Sequence, residues 1–107
     1  MRIIARRTLR DFIEARAGRK DHRALKSALD AWYREANKAA WANMAEVKQK
    51  YGTASPVTAE RIVFNIKGND YRLVVAVNFS KQIVFIKWIG THADYNKIDV
   101  EKVQYAD

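Results

Sequence analysis

Apolar positions change period once along this chain, and the change divides it in two. Leu9, Phe12, Ile13 and Ala17, then Leu25, Leu29, Trp32, Ala36, Ala40, Met44, Val47 and Tyr51, recur at steps of three and four. That is the period of helices carrying one apolar stripe. Thr8 is placed as an N-cap for the first helix, with Asp11 three positions on completing a capping-box-like pair, and Gly18 as its stop. Asp21 is placed as the cap of the next. Neither glycine nor proline interrupts residues 20–51. The segment therefore reads as one long helix or two consecutive ones, with a break near Asn37–Asn43 and an end at Gly52. The link around Arg19 is short, so the two helical segments are expected to form an antiparallel hairpin.

Thr53–Thr58 holds the only proline and reads as a loop. The period then drops to two. Ile62, Phe64 and Ile66 alternate with Val63, Asn65 and Lys67. Gly68-Asn69-Asp70 is a turn, Tyr71–Phe79 a second strand, Ser80-Lys81-Gln82 another turn, and Ile83–Ile89 a third strand rich in β-branched and aromatic residues. Two tight turns joining three strands predict an antiparallel meander. Gly90-Thr91 is expected to leave the sheet. Asp94–Val103 is expected to form a short helix, with Asp94 near its start and Lys102 near its end. Arg2–Ala5 allows a short strand ahead of the helices. The expected class is α+β: an N-terminal helical hairpin packed on one face of a twisted antiparallel sheet, with a short C-terminal helix, as one domain over residues 1–107. The other face or edge is left for function.

Composition narrows the chemistry. The 107 residues are 49% apolar, enough for a packed core. The absence of cysteine removes disulfides, thiolate metal sites and cysteine nucleophiles. No apolar run approaches the roughly 20 residues of a membrane span, and the basic start lacks a signal peptide's apolar stretch, so a cytoplasmic location is the expectation. The net charge is +8, and seven of those charges fall in residues 1–50. Such a field attracts polyanions, although an acidic protein partner would fit it too.

Two blocks carry a more specific pattern. Ile62-Val63-Phe64-Asn65-Ile66-Lys67-Gly68-Asn69-Asp70-Tyr71-Arg72-Leu73-Val74 and Phe85-Ile86-Lys87-Trp88-Ile89-Gly90-Thr91-His92-Ala93-Asp94-Tyr95-Asn96-Lys97-Ile98 resemble the HigB toxins of the RelE-like superfamily. Their order, their spacing and the helical half before them agree as well. Asn96 departs from the pattern, which has Asp there. The resemblance implies a type II toxin that cleaves mRNA in the ribosomal A site. It also implies a HigA-type helix-turn-helix antitoxin as partner, with operator DNA reached only through that complex. The basic N-terminal half would then grip ribosomal RNA.

The residues suit such chemistry. RNA breaks when its ribose hydroxyl attacks the adjacent phosphate; a catalyst aligns the groups, moves protons and neutralises the phosphate. His22 and His92 are far apart, and no HExxH or paired-carboxylate spacing is present, so neither a metal nor another cofactor is expected. His92 is the first candidate for general acid or base, against the plainer role of a loop or capping histidine. His22 reads as solvated. Arg72 resembles the arginine that contacts the scissile phosphate in RelE-like toxins. Lys87, on the strand period, shares a face with Phe85 and Ile89, and is either a phosphate ligand or a lysine packed along its stem. Tyr95 follows His92 within one helical turn and is a stacking or proton-transfer candidate. Lys67, Asn69, Tyr71 and Lys97 are RNA-binding candidates; Asn69 reads first as a turn residue, and the two lysines equally as surface residues. Trp32 and Tyr51 belong to the core stripe. Tyr33 and Trp41 fall off it and are candidates for antitoxin or ribosome contact. The competing function is a non-enzymatic RNA- or antitoxin-binding module. A DNA-binding regulator lacks a recognition-helix pattern.

Overall fold

The computed structural model describes residues 1–104. The chain runs β1 (Arg2–Ile4), α1 (Arg6–Ala15), α2 (His22–Lys38), α3 (Met44–Lys50), β2 (Ser55–Pro56), β3 (Arg61–Ile66), β4 (Tyr71–Asn78), β5 (Ile83–Thr91) and α4 (His92–Tyr95). The strands form one sheet in the order β1-β5-β4-β3-β2. β3, β4 and β5 make the antiparallel meander that the alternation predicts. The sheet as a whole is mixed, because β1 runs parallel to β5, with Arg2 opposite Ile83 and Ile4 opposite Phe85. The long path between these two strands, through helices and meander, is what permits a parallel pairing. Ser55–Pro56, expected as loop, pairs with Val63 and Ile62 at the opposite edge. Pro56 has no N–H to donate, which suits an edge position.

The helices cover one face of this α+β fold. Leu9 and Ile13 of α1, Leu25, Leu29, Trp32 and Ala36 of α2, and Val47 of α3 join Ile62, Phe64, Ile66, Leu73 and Val75 in one core. All the helical members lie on the predicted stripe. Trp32 and Tyr51 each meet the Phe64 ring edge-on, at 5.4 and 5.0 Å. Trp41 departs from expectation: it is buried, with its ring 6.0 Å from that of Tyr51. It sits in the break between α2 and α3, where Ala39 turns extended, so a helical stripe does not describe its direction. Tyr33 is half-buried under the Arg6 guanidinium, 4.8 Å from its ring.

Several helix ends differ from the sequence reading. α1 starts at Arg6 behind Ala5, without a side-chain cap. Thr8 lies inside the first turn and cannot be the N-cap. α1 ends at Ala15 rather than at Gly18. Asp21 stands at the N-cap of α2, yet its carboxylate makes no cap bond and accepts from Tyr71 instead. α3 ends at Lys50, just ahead of Gly52. The break itself falls where expected. Asn43 Oδ1 accepts the Glu46 N–H and the Glu46 carboxylate accepts the Ala42 N–H, both at 3.0 Å, so α3 starts on a reciprocal cap. The Met1 ammonium donates to the carbonyls of Asn37 and Ala39, satisfying the end of α2.

The C-terminal segment corrects two expectations. β5 continues through Gly90 and Thr91, and α4 is a single turn rather than a helix over Asp94–Val103. Thr91 Oγ1 accepts the Asp94 N–H at 3.1 Å, which starts the turn at His92. Farther on, the Arg61 guanidinium takes the carbonyls of Val100 and Val103, at 3.0 and 2.7 Å. Those groups are then engaged in holding the segment across β3. Val63 and Val74 point away from the helices, being buried but outside the helix-facing core. The far face of the sheet is therefore partly covered.

Candidate functional site

The β3–β4 turn and the junction of β5 with α4 meet at one end of the sheet. Tyr71 pairs with Thr91 and Arg72 with Gly90, and the His92 N–H donates to the Asp70 carbonyl at 2.9 Å. The turn contains two successive left-handed residues, Lys67 (φ 52°) and Gly68 (φ 64°). Glycine adopts this freely, whereas lysine does so at a cost of roughly 1–2 kcal/mol. Lys67 Nζ is held by the Asp70 carboxylate at 2.6 Å, which raises the lysine pKa, the hydrogen bond being the main cause. Asn69 then grips Arg72: its carbonyl accepts from Nη1 at 3.0 Å and its Oδ1 from Nη2 at 2.7 Å. The same Nη2 lies 3.5 Å from His92 Nε2. Guanidinium only donates, so a bond here needs Nε2 as the unprotonated ring nitrogen. Of the four residues expected in one site, Arg72 and His92 are thus brought together, with the turn residue Asn69 holding Arg72.

On the helix side of this end lies a cleft of about 420 Å³, lined by Arg16, Asp21, Asn69, Asp70, Tyr71 and His92 among others. Tyr71 packs its buried ring 5.9 Å from that of Phe12. Its hydroxyl donates to Asp21 at 2.6 Å and accepts from Arg16 Nε at 2.9 Å. The Tyr71 bond, aided by the charges of Lys67 and Arg16, holds the Asp21 carboxyl below its ordinary range in spite of partial burial. Burial first, then Asp21, pushes the phenol of Tyr71 up, against the opposing pull of Arg16. Arg16 and Asp21 were not legible as site residues. Asp21 carries an N-cap signature and Arg16 is one of many basic residues; only the short link after α1 hints that this loop reaches the sheet end.

The far face reads differently from the strand alternation. Val74 pairs with Trp88 but Val75 with Ile86, so Lys87 is the extra residue of a β-bulge. Beyond it the parity flips. Lys87 keeps the predicted company of Phe85, with Nζ 5.5 Å from that ring, but Ile89 turns into the helix-facing core. Lys87 Nζ reaches Gln104 Oε1 at 3.4 Å. It stands three residues before Gly90, roughly 10 Å along the strand, apart from the Arg72–His92 pair. The Trp88 indole lies against Gly90, where an added β-carbon would sit only 2.4 Å from it. Its ring is 6.2 Å from that of Tyr95. Tyr95 is thus half-buried beside the tryptophan. Lys97 is exposed and pairs loosely with Asp94 at 3.7 Å.

The family model for HigB toxins, the RelE-like toxic component of a toxin–antitoxin system, matches residues 25–98. The chain belongs to the HigB toxin family. It is therefore the toxin of such a system, and an antitoxin is its expected kind of partner. No curated protein matches the chain. The match takes in Arg72, His92, Tyr95 and Lys97 and leaves out Arg16 and Asp21.

Chemistry, rather than size, singles out the sheet end in this HigB-family toxin. A groove of the same volume, about 420 Å³, lies between α1 and α2, lined by Leu9, Ile13, His22, Lys26, Asp30 and Tyr33 among others. His22 is half-buried there rather than fully solvated. Asp30 is engaged by Lys26 at 2.7 Å. Among the described residues, no three histidine or carboxylate side chains converge as a metal site would need, and no helix is long and apolar enough to cross a membrane.

Proposed function

We propose that this toxin is a ribosome-dependent mRNA endonuclease whose reaction centre is the Arg72–His92 pair. The observation that carries the proposal is a guanidinium held by Asn69 within 3.5 Å of an imidazole nitrogen, at the border of an open cleft. Arg72 would place its charge on the scissile phosphate and offset the negative charge that builds there as the bond is made. His92 would carry a proton to or from the reacting oxygens. The ribose 2′-oxygen bonds to phosphorus, its proton passes to a base, the bond from phosphorus to the 5′-oxygen breaks, and that oxygen gains a proton. The products are a 2′,3′-cyclic phosphate and a 5′-hydroxyl, with no water consumed in this step.

The remaining candidates take supporting places. Tyr95, beside Trp88, offers a stacking edge or a second proton carrier. Lys87 and Lys97 would contact backbone farther along the strand. Lys67 has its charge engaged by Asp70 and serves the turn first. The basic N-terminal half would meet ribosomal RNA, and a HigA-type antitoxin would neutralise the toxin.

Primer extension on ribosome-bound mRNA after induction tests this directly. New cleavage ends with the wild type, absent with His92→Gln while that variant still binds antitoxin, are the expected result. Arrested translation on intact mRNA would instead favour a non-enzymatic binder.

A further inference from the structure

Arg16 bonds Tyr71 through Nε and its charge also favours the nearby Asp21 carboxylate, but among the described residues its two terminal nitrogens are left without a hydrogen bond. Nε donates to the Tyr71 hydroxyl at 2.9 Å. The guanidinium carbon lies 5.1 Å from the Tyr71 ring and 5.7 Å from the Phe12 ring. Among the described residues, neither Nη1 nor Nη2 makes a hydrogen bond. The other charges around the cleft are engaged: Lys67 with Asp70, Asp21 with the Tyr71 hydroxyl, Arg72 with Asn69. A guanidinium anchored at Nε and packed on two rings has little side-chain freedom left to lose on binding. Its paired terminal N–H groups match two oxygens of a phosphodiester. Arg16 lines the same cleft as His92, while Arg72 reaches His92 from β4. The two arginines come from separate parts of the fold: Arg72 lies 3.5 Å from the histidine, and Arg16 lines the cleft that the histidine also lines.

Building on the mRNA-cleavage proposal, we propose that Arg16 binds a backbone phosphate of the RNA strand, adjacent to the phosphate held at Arg72 and His92. The strand is then gripped at two successive phosphates across the sheet end, and the Tyr71–Asp21 pair aims the second grip. A purely structural role, tying the end of α1 to the sheet, would use the same bond to Tyr71, so the test has to read the charge on a particular phosphate.

The experiment is single-turnover cleavage on ribosomes programmed with mRNA in which an uncharged methylphosphonate replaces, one at a time, the phosphate before or after the cleaved bond. With natural mRNA, Arg16→Gln should cleave about 10–100-fold more slowly, the worth of one charge-assisted hydrogen bond. Arg16→Lys should recover part of that. One of the two methylphosphonates should slow the wild type by a similar factor yet slow Arg16→Gln by no more than about twofold, since the two changes remove the same contact. Thermal unfolding of both variants separates misfolding from lost contact. Cleavage by Arg16→Gln at the wild-type rate, or losses that multiply at both phosphates, would overturn the phosphate role and leave the nuclease proposal standing. A wild type that leaves natural mRNA whole would overturn both.

Discussion

Arg72 and Leu73 are neighbours in β4, yet they belong to different chemistries. Leu73 is fully buried against the helices. Arg72 points the opposite way at the same end of the sheet, its guanidinium held by Asn69 beside His92. On the helix-facing side the alternation of the strands is filled almost wholly by aliphatic and aromatic groups. Its polar exception, the Tyr71 hydroxyl, has both a donor and an acceptor partner. On the other side the same alternation brings out Arg61, Arg72 and the bulged Lys87, each with a polar partner. In β4 the strand period therefore sets the buried Leu73 apart from the reactive Arg72, while His92 also lines the cleft on the helix side. The turn and the bulge are where that division is adjusted.

The largest effects should separate the two sides cleanly. His92→Gln and Arg72→Ala are expected to lower the cleavage rate by about 10²–10⁴-fold while the unfolding midpoint in urea hardly moves. Leu73→Ala should do the reverse. It should cost roughly 2–5 kcal/mol in urea unfolding and leave the rate per folded molecule near that of the wild type. A Leu73→Ala protein that is fully stable, or a His92→Gln protein that fails to fold, would erase the distinction between the sides.

Gly90 sharpens the comparison on the far face. A methyl group there meets the Trp88 ring, so Gly90→Ala should lose about 1–3 kcal/mol through overpacking. Adding Trp88→Leu should return part of that loss. If Gly90→Ala unfolds like the wild type, the indole does not depend on the bare backbone.

Tyr71→Phe should have a smaller effect, about 1–2 kcal/mol, by removing a buried hydroxyl that bridges Arg16 and Asp21. Its pH dependence has a definite sign. Asp21 is held below its ordinary pKa, so its contribution is present above about pH 4 and fades as the pH falls through the folded value. Tyr71 is pushed above its ordinary pKa. Its contribution is present below about pH 10 and is lost as the pH rises further. Tyr71→Phe should flatten both limbs of the stability profile; urea titrations at pH 3, 7 and 10.5 would show this, and unchanged limbs would remove the bridge from the explanation.

The helix-facing core was legible because burial imposes a period: Leu25, Leu29, Trp32, Val47, Ile62, Phe64 and Leu73 all stand where the pattern places them. The two blocks that resemble HigB toxins pointed to Arg72, Lys87, His92 and Tyr95 as one site; of these, Arg72 and His92 meet at 3.5 Å, while Lys87 lies at the bulge beside Phe85 and Gln104 and Tyr95 packs by Trp88. What was missed depended on partners distant in sequence. Asp21 looks like a cap, but Tyr71 claims its carboxylate across 50 positions. The helix expected over Asp94–Val103 gives way where Arg61 takes its carbonyls. The bulge at Lys87 shifts Ile89 into the core, and a strict period of two contains no signal for it. β1 pairs parallel only because β5 presents an edge to it.

The most direct measurement of the proposed chemistry is the identity of the ends left on ribosome-bound mRNA. Purified wild-type toxin, added to ribosomes programmed with a defined mRNA, should leave a 5′-hydroxyl that polynucleotide kinase can label without prior phosphatase treatment, and a 2′,3′-cyclic phosphate on the upstream fragment. His92→Gln should leave neither. A 5′-phosphate with a free 3′-hydroxyl, or cleavage of equal rate by His92→Gln, would contradict a centre in which Arg72 and His92 direct the ribose hydroxyl onto its own phosphate.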